Sequence, residues 1–344
     1  MKQSKRVVCV LLCVLIGVGM VFAGGQKQTT VEGGWKPTRP INIIVPWNPG
    51  GSTDQYTRIV AAELEKVLGV NLVIVHQPGA SGSVGTKNVL DAPKDGYTWL
   101  STAADDLAMY RLNGMLDTNI ADWEMFLCIG LTGCVGVNAD SKYQTFDDLL
   151  ADFKARPGQI AIATSGLVSA GATYASMLQK FTGIDYKMVT YEGGGTVIPA
   201  VVSGEVEVTT QFLIEQTNMI RAKRIRPLVS ISDTDFNLQG HGLIPSIRKW
   251  IPEMNVGYKA CGFMLPKGTP QEVVTTLTNA WNQAIPNNAA IKKWADEQGA
   301  MVIGPYTGQE AQAKAREFYQ QVAWIYYDAG LLKMSPDAAG IPRP

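Results

Sequence analysis

The chain has 344 residues, 46% of them hydrophobic and 17% charged, with 30 Lys+Arg against 30 Asp+Glu. That length exceeds one core of average size, so two domains are expected. The composition excludes a disordered chain, and the charge balance supplies no basic field for nucleic acid or a membrane surface.

The first 23 residues read as a cleavable export signal. Lys2, Lys5 and Arg6 precede the apolar run Val7 to Phe22, and Val21-Phe22-Ala23 is acceptable to signal peptidase, with Gly24 first in the mature chain. The rival reading is a retained anchor. The run is short for a bilayer span, which needs about 20 apolar residues, and Gly17 and Gly19 weaken it. A lipoprotein would need a cysteine at the cleavage point, whereas Cys9 and Cys13 lie inside the apolar run. Without residues 1–23 the formal charge becomes −3, and Cys128, Cys134 and Cys261 remain. Their odd number implies no complete disulfide framework. It leaves open a Cys128–Cys134 bridge or buried thiols.

Residues 24–38 form a polar, Gly-rich leader. Ile41 to Val45 is a strand, broken by the loop Pro46 to Ser52; a helix through Tyr56, Ile59, Val60, Leu64, Val67 and Leu68 follows and closes at Gly69. Leu72 to Val75 is a strand, Gln77 to Gly85 a Gly/Ser loop, Val84 to Leu90 a helix and Tyr97 to Leu100 a third strand. The pattern then recurs. The helix Phe146 to Phe153 precedes the strand Ile160 to Ala163, the loop Thr164 to Gly171 and the helix Ala172 to Thr182. Next come the strand Met188 to Val189, the loop Tyr191 to Gly195, the helix Val197 to Ser203 and the strand Val206 to Thr210. A helix over Gln216 to Ala222 leads into the strand Pro227 to Ile231. The last third holds the apolar segment Cys261 to Pro266, the helices Gln271 to Ala284 and Gln309 to Ala329, and a strand Gly299 to Ile303 between them. Strands alternating with helices predict an α/β protein with mainly parallel sheets flanked by helices.

The chemistry lies in the Gly/Ser loops that follow strands and precede helices. Open α/β sheets bind ligands at the carboxyl ends of strands, and helix starts attract anions through free N–H groups. Trp47, Pro49, Gly50, Gly51, Ser52 and Thr53 form one candidate site, and Ala80, Ser81, Gly82 and Ser83 a second. Ser165, Gly166, Ser169 and Ala170 form a third, and Tyr191, Gly193 and Gly194 a fourth. Thr102 and Gln211, each beyond a strand, complete the set. Each loop alone reads as a tight turn, since Gly and Ser are the usual turn residues; four with the same placement shift the balance towards a cleft.

Gly79-x-x-Gly82-x-x-Gly85 lacks the dinucleotide spacing. Leu167-Val168-Ser169-Ala170-Gly171 lacks the leading Gly of a nucleophile elbow. His76 reads as a structural residue at a strand end and His241 as solvated between glycines, and no cluster has metal-ligand spacing. The basic run Arg221, Lys223, Arg224 and Arg226 reads as a solvated helix end. No catalytic residue, metal or cofactor is therefore called.

An ordered set of motifs resembles the tripartite tricarboxylate transporter receptors, the Bug family of solute-binding proteins. They are Arg39-Pro40-Ile41, Ile44 to Asp54, Gln77 to Gly85, Asp95 to Thr98, Lys154 to Gly158, Tyr191 to Gly194, Gly204 to Val206 and Pro266 to Pro270. The resemblance implies a two-domain, type II-like periplasmic-binding-protein fold hinged by two crossing strands. Domain one would cover 39–137 plus 260–344 and domain two 138–259, with crossings near Gly133 to Asn138 and Lys259 to Leu265. It also implies a carboxylate on the loops Pro49 to Thr53 and Ala80 to Ser83, and specificity at Ser165 to Ala170 and Tyr191 to Gly194.

The sequence departs from that family where Trp47 stands for Phe, Asn48 for Pro, Gln211-Phe212 for Asp-Asn and Glu192 for Lys. The last exchange disfavours a dianion, so a ligand with one carboxylate and a polar or aromatic remainder, or a weakly charged diacid, is expected. The functional expectation is a monomeric periplasmic protein, not an enzyme. It would capture a small organic carboxylate and deliver it to membrane permease subunits. The alternatives are a sensor serving a signalling partner and a secreted enzyme acting on a carboxylated metabolite.

Overall fold

Short β-branched runs ended by Pro or Gly form the strands, and runs with helical periodicity form the crossovers between them. The structure, a computed structural model, describes residues 34–254 and 257–344. The expected export signal and residues 24–33 of the leader lie outside the described residues.

Strand β1 (Ile41–Val45) lies between β2 (Leu72–His76) and β3 (Thr98–Ala103), parallel to both. Helices α1 (Ser52–Leu68) and α2 (Ser83–Asp91) make the crossovers, and α3 (Ala104–Leu112) follows β3 directly. The sheet is completed by β4 (Trp123–Leu131), β12 (Lys259–Pro266) and β13 (Met301–Thr307), in the order β13-β4-β12-β3-β1-β2. The second sheet repeats the pattern. Strand β6 (Ala161–Thr164) lies between β7 (Lys187–Thr190) and β8 (Val208–Thr209), parallel to both, with α5 (Ala170–Thr182) and α6 (Gly194–Ser203) as crossovers. With β5 (Gly133–Asn138) and β9 (Ile225–Ile231) its order is β7-β6-β8-β5-β9. Helix α4 (Phe146–Ala155) precedes β6, and α7 (Leu213–Arg221) joins β8 to β9. A hairpin of β10 (Phe236–Leu238) and β11 (Gly242–Ile244) follows. Helices α8 (Gln271–Ala284), α9 (Ala289–Gln298) and α10 (Gly308–Asp328) belong to the last third.

Both sheets are mixed, which corrects the expectation of mainly parallel ones. Strand β12 runs antiparallel to β3 and β4, and β5 runs antiparallel to β8 and β9. The cause is the topology: the chain leaves the first sheet from β4, enters the second as β5 with only Thr132 between, and later returns as β12. The Thr132 hydroxyl donates to the Ile231 carbonyl and pins the passage to β9.

The periodicity missed two helices. In α3 all residues but Arg111 are buried, so the segment has no polar face to set a period. In α9 only Ile291 and Ala295 are buried, too narrow a stripe to read. Beneath the first sheet, Trp281 packs its ring against Phe126 and Phe263, with centroids 5.8 Å and 5.6 Å away, and Phe263 meets Trp99 at 5.9 Å. Cys128, Cys134 and Cys261 are free and buried, and burial pushes their thiols well above the ordinary range.

Candidate functional site

Strands β1 and β6, each next to the edge strand of its sheet, have a parallel neighbour on either side, so the chain departs in opposite directions and leaves a crevice at the carboxyl edge. One cavity is lined from both crevices. From the first sheet come Trp47 and Gly51 after β1, Ser52 and Thr53 opening α1, Ala103 and Asp106 at the start of α3, and Lys259 and Cys261 on β12. From the second come Ser165, with Ser169 and Ala170 at the start of α5, Gly194 opening α6, and Phe212 and Glu215 at the start of α7.

Five helix starts therefore meet at one cavity. A helix start presents unpaired N–H groups and the positive end of the dipole. The N-cap residues of α1, α3, α6 and α7 make no capping bond through their own side chains, whereas the Ser169 hydroxyl caps α5 by accepting from the Ala172 N–H at 3.3 Å. The cavity measures about 30 Å³, the room of roughly two waters. Its walls touch. A Cβ on Gly195 would stand 2.4 Å from the Pro49 carbonyl oxygen, and a Cβ on Gly166 would stand 2.6 Å from the Ser81 hydroxyl. Only glycine lets these loops of the two sheets approach so closely.

The charged groups are paired within the protein. Lys259 is 1% exposed; its ammonium pairs with Asp105 and lies 3.6 Å from Asp106 Oδ1. Burial works against the lysine's charge, but the two carboxylates outweigh it and hold Lys259 above its usual range. Burial pushes Asp106 up to about 7, against the lowering influence of Lys259 and of the Thr102 hydroxyl, which donates to Oδ2 at 3.1 Å. Glu215 accepts from the Ser52 N–H at 3.0 Å on one oxygen and from Gln211 Nε2 at 2.9 Å on the other. Burial still raises its pKa, because these donors offset desolvation only in part. Behind the first loop, burial alone would raise Asp54. The Gly50 N–H at 3.0 Å, Arg58 at 2.9 Å and His76 at 2.9 Å together hold it below the usual range. His76 is thus a brace for the loop.

Of the residues singled out by sequence, Trp47, Gly51, Ser52, Thr53, Ser165, Ser169, Ala170 and Gly194 line the cavity. Pro49, Gly50, Gly166 and Gly193 belong to the same loops without lining it. Thr102 and Gln211 sit one step back, holding Asp106 and Glu215. Ala80, Ser81, Gly82 and Ser83 stop short of the cavity, where the Tyr110 hydroxyl donates to the Ser81 carbonyl at 3.1 Å. The Tyr191 hydroxyl donates to Glu205 at 2.8 Å, and Glu192 is exposed, so neither faces the cavity.

Sequence reasoning missed Ala103, Asp106, Phe212, Glu215, Lys259 and Cys261. One signal was available: Lys259 is a lone cation on an apolar strand, and Asp105-Asp106 an acidic pair within an apolar segment. The basic run also differs from its reading, since the Arg221 guanidinium donates to the carbonyls of Gln239 and Glu297. Among the described residues no group of three or more His, Cys, Asp and Glu is placed to hold a metal ion.

The sequence profile described as "Tripartite tricarboxylate transporter family receptor" matches residues 56–324. Protein BugT of Bordetella pertussis is 28% identical over 296 residues, 85% of this chain and 90% of its own length. A structure described as R. palustris Rpa4515 with adipate superposes with a TM-score of 0.79 at 25% identity, over 86% of this chain and 98% of that one. The periplasmic binding protein BugD superposes with a TM-score of 0.80 at 22% identity, over 86% and 99%, a likeness of fold. The architecture is that of the two-domain periplasmic binding proteins.

Proposed function

The chain belongs to the tripartite tricarboxylate transporter receptor family, and from that premise we propose that it is an extracytoplasmic solute-binding protein. It encloses one small organic carboxylate between the halves built on its two sheets and delivers it to membrane permease subunits of a secondary transporter. Residues 1–23 act as its export signal, and it works in the periplasm as a monomer. One half comprises 39–137 with 260–344, the other 138–259. The family is one of receptors, and no catalytic step is assigned to this chain.

The observation that carries this reading is the convergence of five helix starts, from both sheets, on one cavity. Their N–H groups favour an anion, and a ligand touched by both halves stabilises the arrangement in which they meet. The relative solved with adipate supports a carboxylate as the cargo class. Opening must precede entry, since the cavity of about 30 Å³ admits little beyond water.

Two measurements test the proposal. Native mass spectrometry of the purified mature protein should release a small carboxylic acid at one-to-one ratio. Thermal shift across mono-, di- and tricarboxylates should show saturable stabilisation by some of them. A protein stabilised by no carboxylate, or one that chemically converts the acid it binds, would refute the reading.

A further inference from the structure

The cavity already contains an anion of its own. Glu215 Oε1 accepts from the Ser52 N–H, the first amide of α1 and a natural seat for a ligand carboxylate. Its other oxygen is held by Gln211 Nε2. Lys259 is the one cation among the lining residues, and it is committed to Asp105. Asp106 adds a second carboxylate to the wall.

Two of the donors in the cavity lining are committed. The Ser169 hydroxyl donates to the Gly166 carbonyl at 2.9 Å, and the Cys261 thiol to the Lys259 carbonyl at 3.7 Å. Behind the lining, the Gln211 carboxamide oxygen faces Gly171 of α5 and has no hydrogen-bond partner. Burial also holds both Glu215 and Asp106 above the usual carboxylate range, Asp106 in spite of Lys259 at 3.6 Å from its Oδ1.

We propose that Glu215 is the specificity-determining residue of this cavity, and that the ligand is a small acid whose other end is a hydrogen-bond donor, an ammonium or a carboxamide, rather than a second carboxylate. This rests on the receptor reading and deepens it. The ligand's single carboxylate goes elsewhere in the lining, because the α6 start at Gly194 already lies against the Glu215 carboxylate. Its N–H head meets Glu215, with Asp106 as a second acceptor. A diacid would bring its second charge against Glu215, while Lys259 is already shared by Asp105 and Asp106.

The test is calorimetric titration of the mature protein and of E215Q with four matched acids, at several chain lengths. They are the simple alkanoate, the diacid, the ω-amino acid and the diacid monoamide. The parent should bind the amino acid or the monoamide at least about tenfold more tightly than the diacid of equal length. The E215Q carboxamide keeps an acceptor for the Ser52 N–H but loses the charge. That variant should gain about tenfold for the diacid and lose about tenfold for the amino acid. A parent that prefers the diacid, with a ranking unchanged in E215Q, overturns the inference and leaves the receptor reading standing. Binding of no acid to either protein overturns both. Should E215Q fail to fold, the parent's ranking of head groups decides alone.

Discussion

Replacing Gly195 by Ala strains the contact between the two halves while leaving the core of each intact. Gly195 lies in the first turn of α6, and its backbone is compatible with an L side chain. Within the helix the change is favourable by up to about 1 kcal/mol, since Ala exceeds Gly in helix propensity. Across the cleft it is not. The new Cβ would stand 2.4 Å from the Pro49 carbonyl oxygen, where ordinary contact begins at 3.4 Å, so the loops must part by about an ångström. Overpacking of this kind costs about 1–3 kcal/mol, and here the cost falls on the closed arrangement alone. Ligand affinity should therefore drop about tenfold to a hundredfold. The melting temperature of the ligand-free protein should hold or rise slightly. Titration of the acid released from the purified protein measures the first effect, and small-angle scattering should show a larger radius of gyration for ligand-free G195A. Unchanged affinity together with unchanged dimensions would refute the reasoning. A large fall in melting temperature would show instead that these loops belong to one continuous core.

Three further outcomes are expected. The folded state holds a proton on Asp106 between the ordinary 3.8 and about 7 that the unfolded chain releases, so this group's contribution to stability falls as pH rises through that window. D106N lacks that penalty, and its stability relative to the parent should improve by up to a few kcal/mol from pH 5 to pH 8 in denaturant titrations; a constant difference would count against it. K259M leaves Asp105 buried without its partner and should cost about 3–5 kcal/mol, with D105N added to it recovering part of the loss. A K259M urea midpoint equal to the parent's would show that the pair contributes nothing. Cys128, Cys134 and Cys261, buried and with thiols pushed up, should ignore a thiol reagent in the native protein and react together on unfolding; one fast native thiol would contradict that burial.

The alternation of strands, Gly/Ser loops and helices was legible because it is local chemistry. Pro46 ends β1 wherever that strand is placed, and Gly69 closes α1 in the left-handed conformation, φ 71°, by its own geometry. The loops after β1, after β6 and before α6 were found for the same reason, and each supplies lining residues. Helices α3 and α9 were not, because one is buried all round and the other carries too thin an apolar stripe.

The charge of the site was beyond the reach of such reading. Glu215 meets the Ser52 N–H across 163 residues of chain, and Lys259 finds Asp105 only when β12 lies antiparallel beside β3. The Ala80–Ser83 loop, with the right composition, stops short of the cavity, whereas Asp106 and Glu215 enter it from the starts of α3 and α7. Composition and spacing determined where backbone N–H groups would be free to bind an anion. Which anion takes them depended on tertiary folding, because electrostatic pairing acts through space and is set by how the two sheets pack.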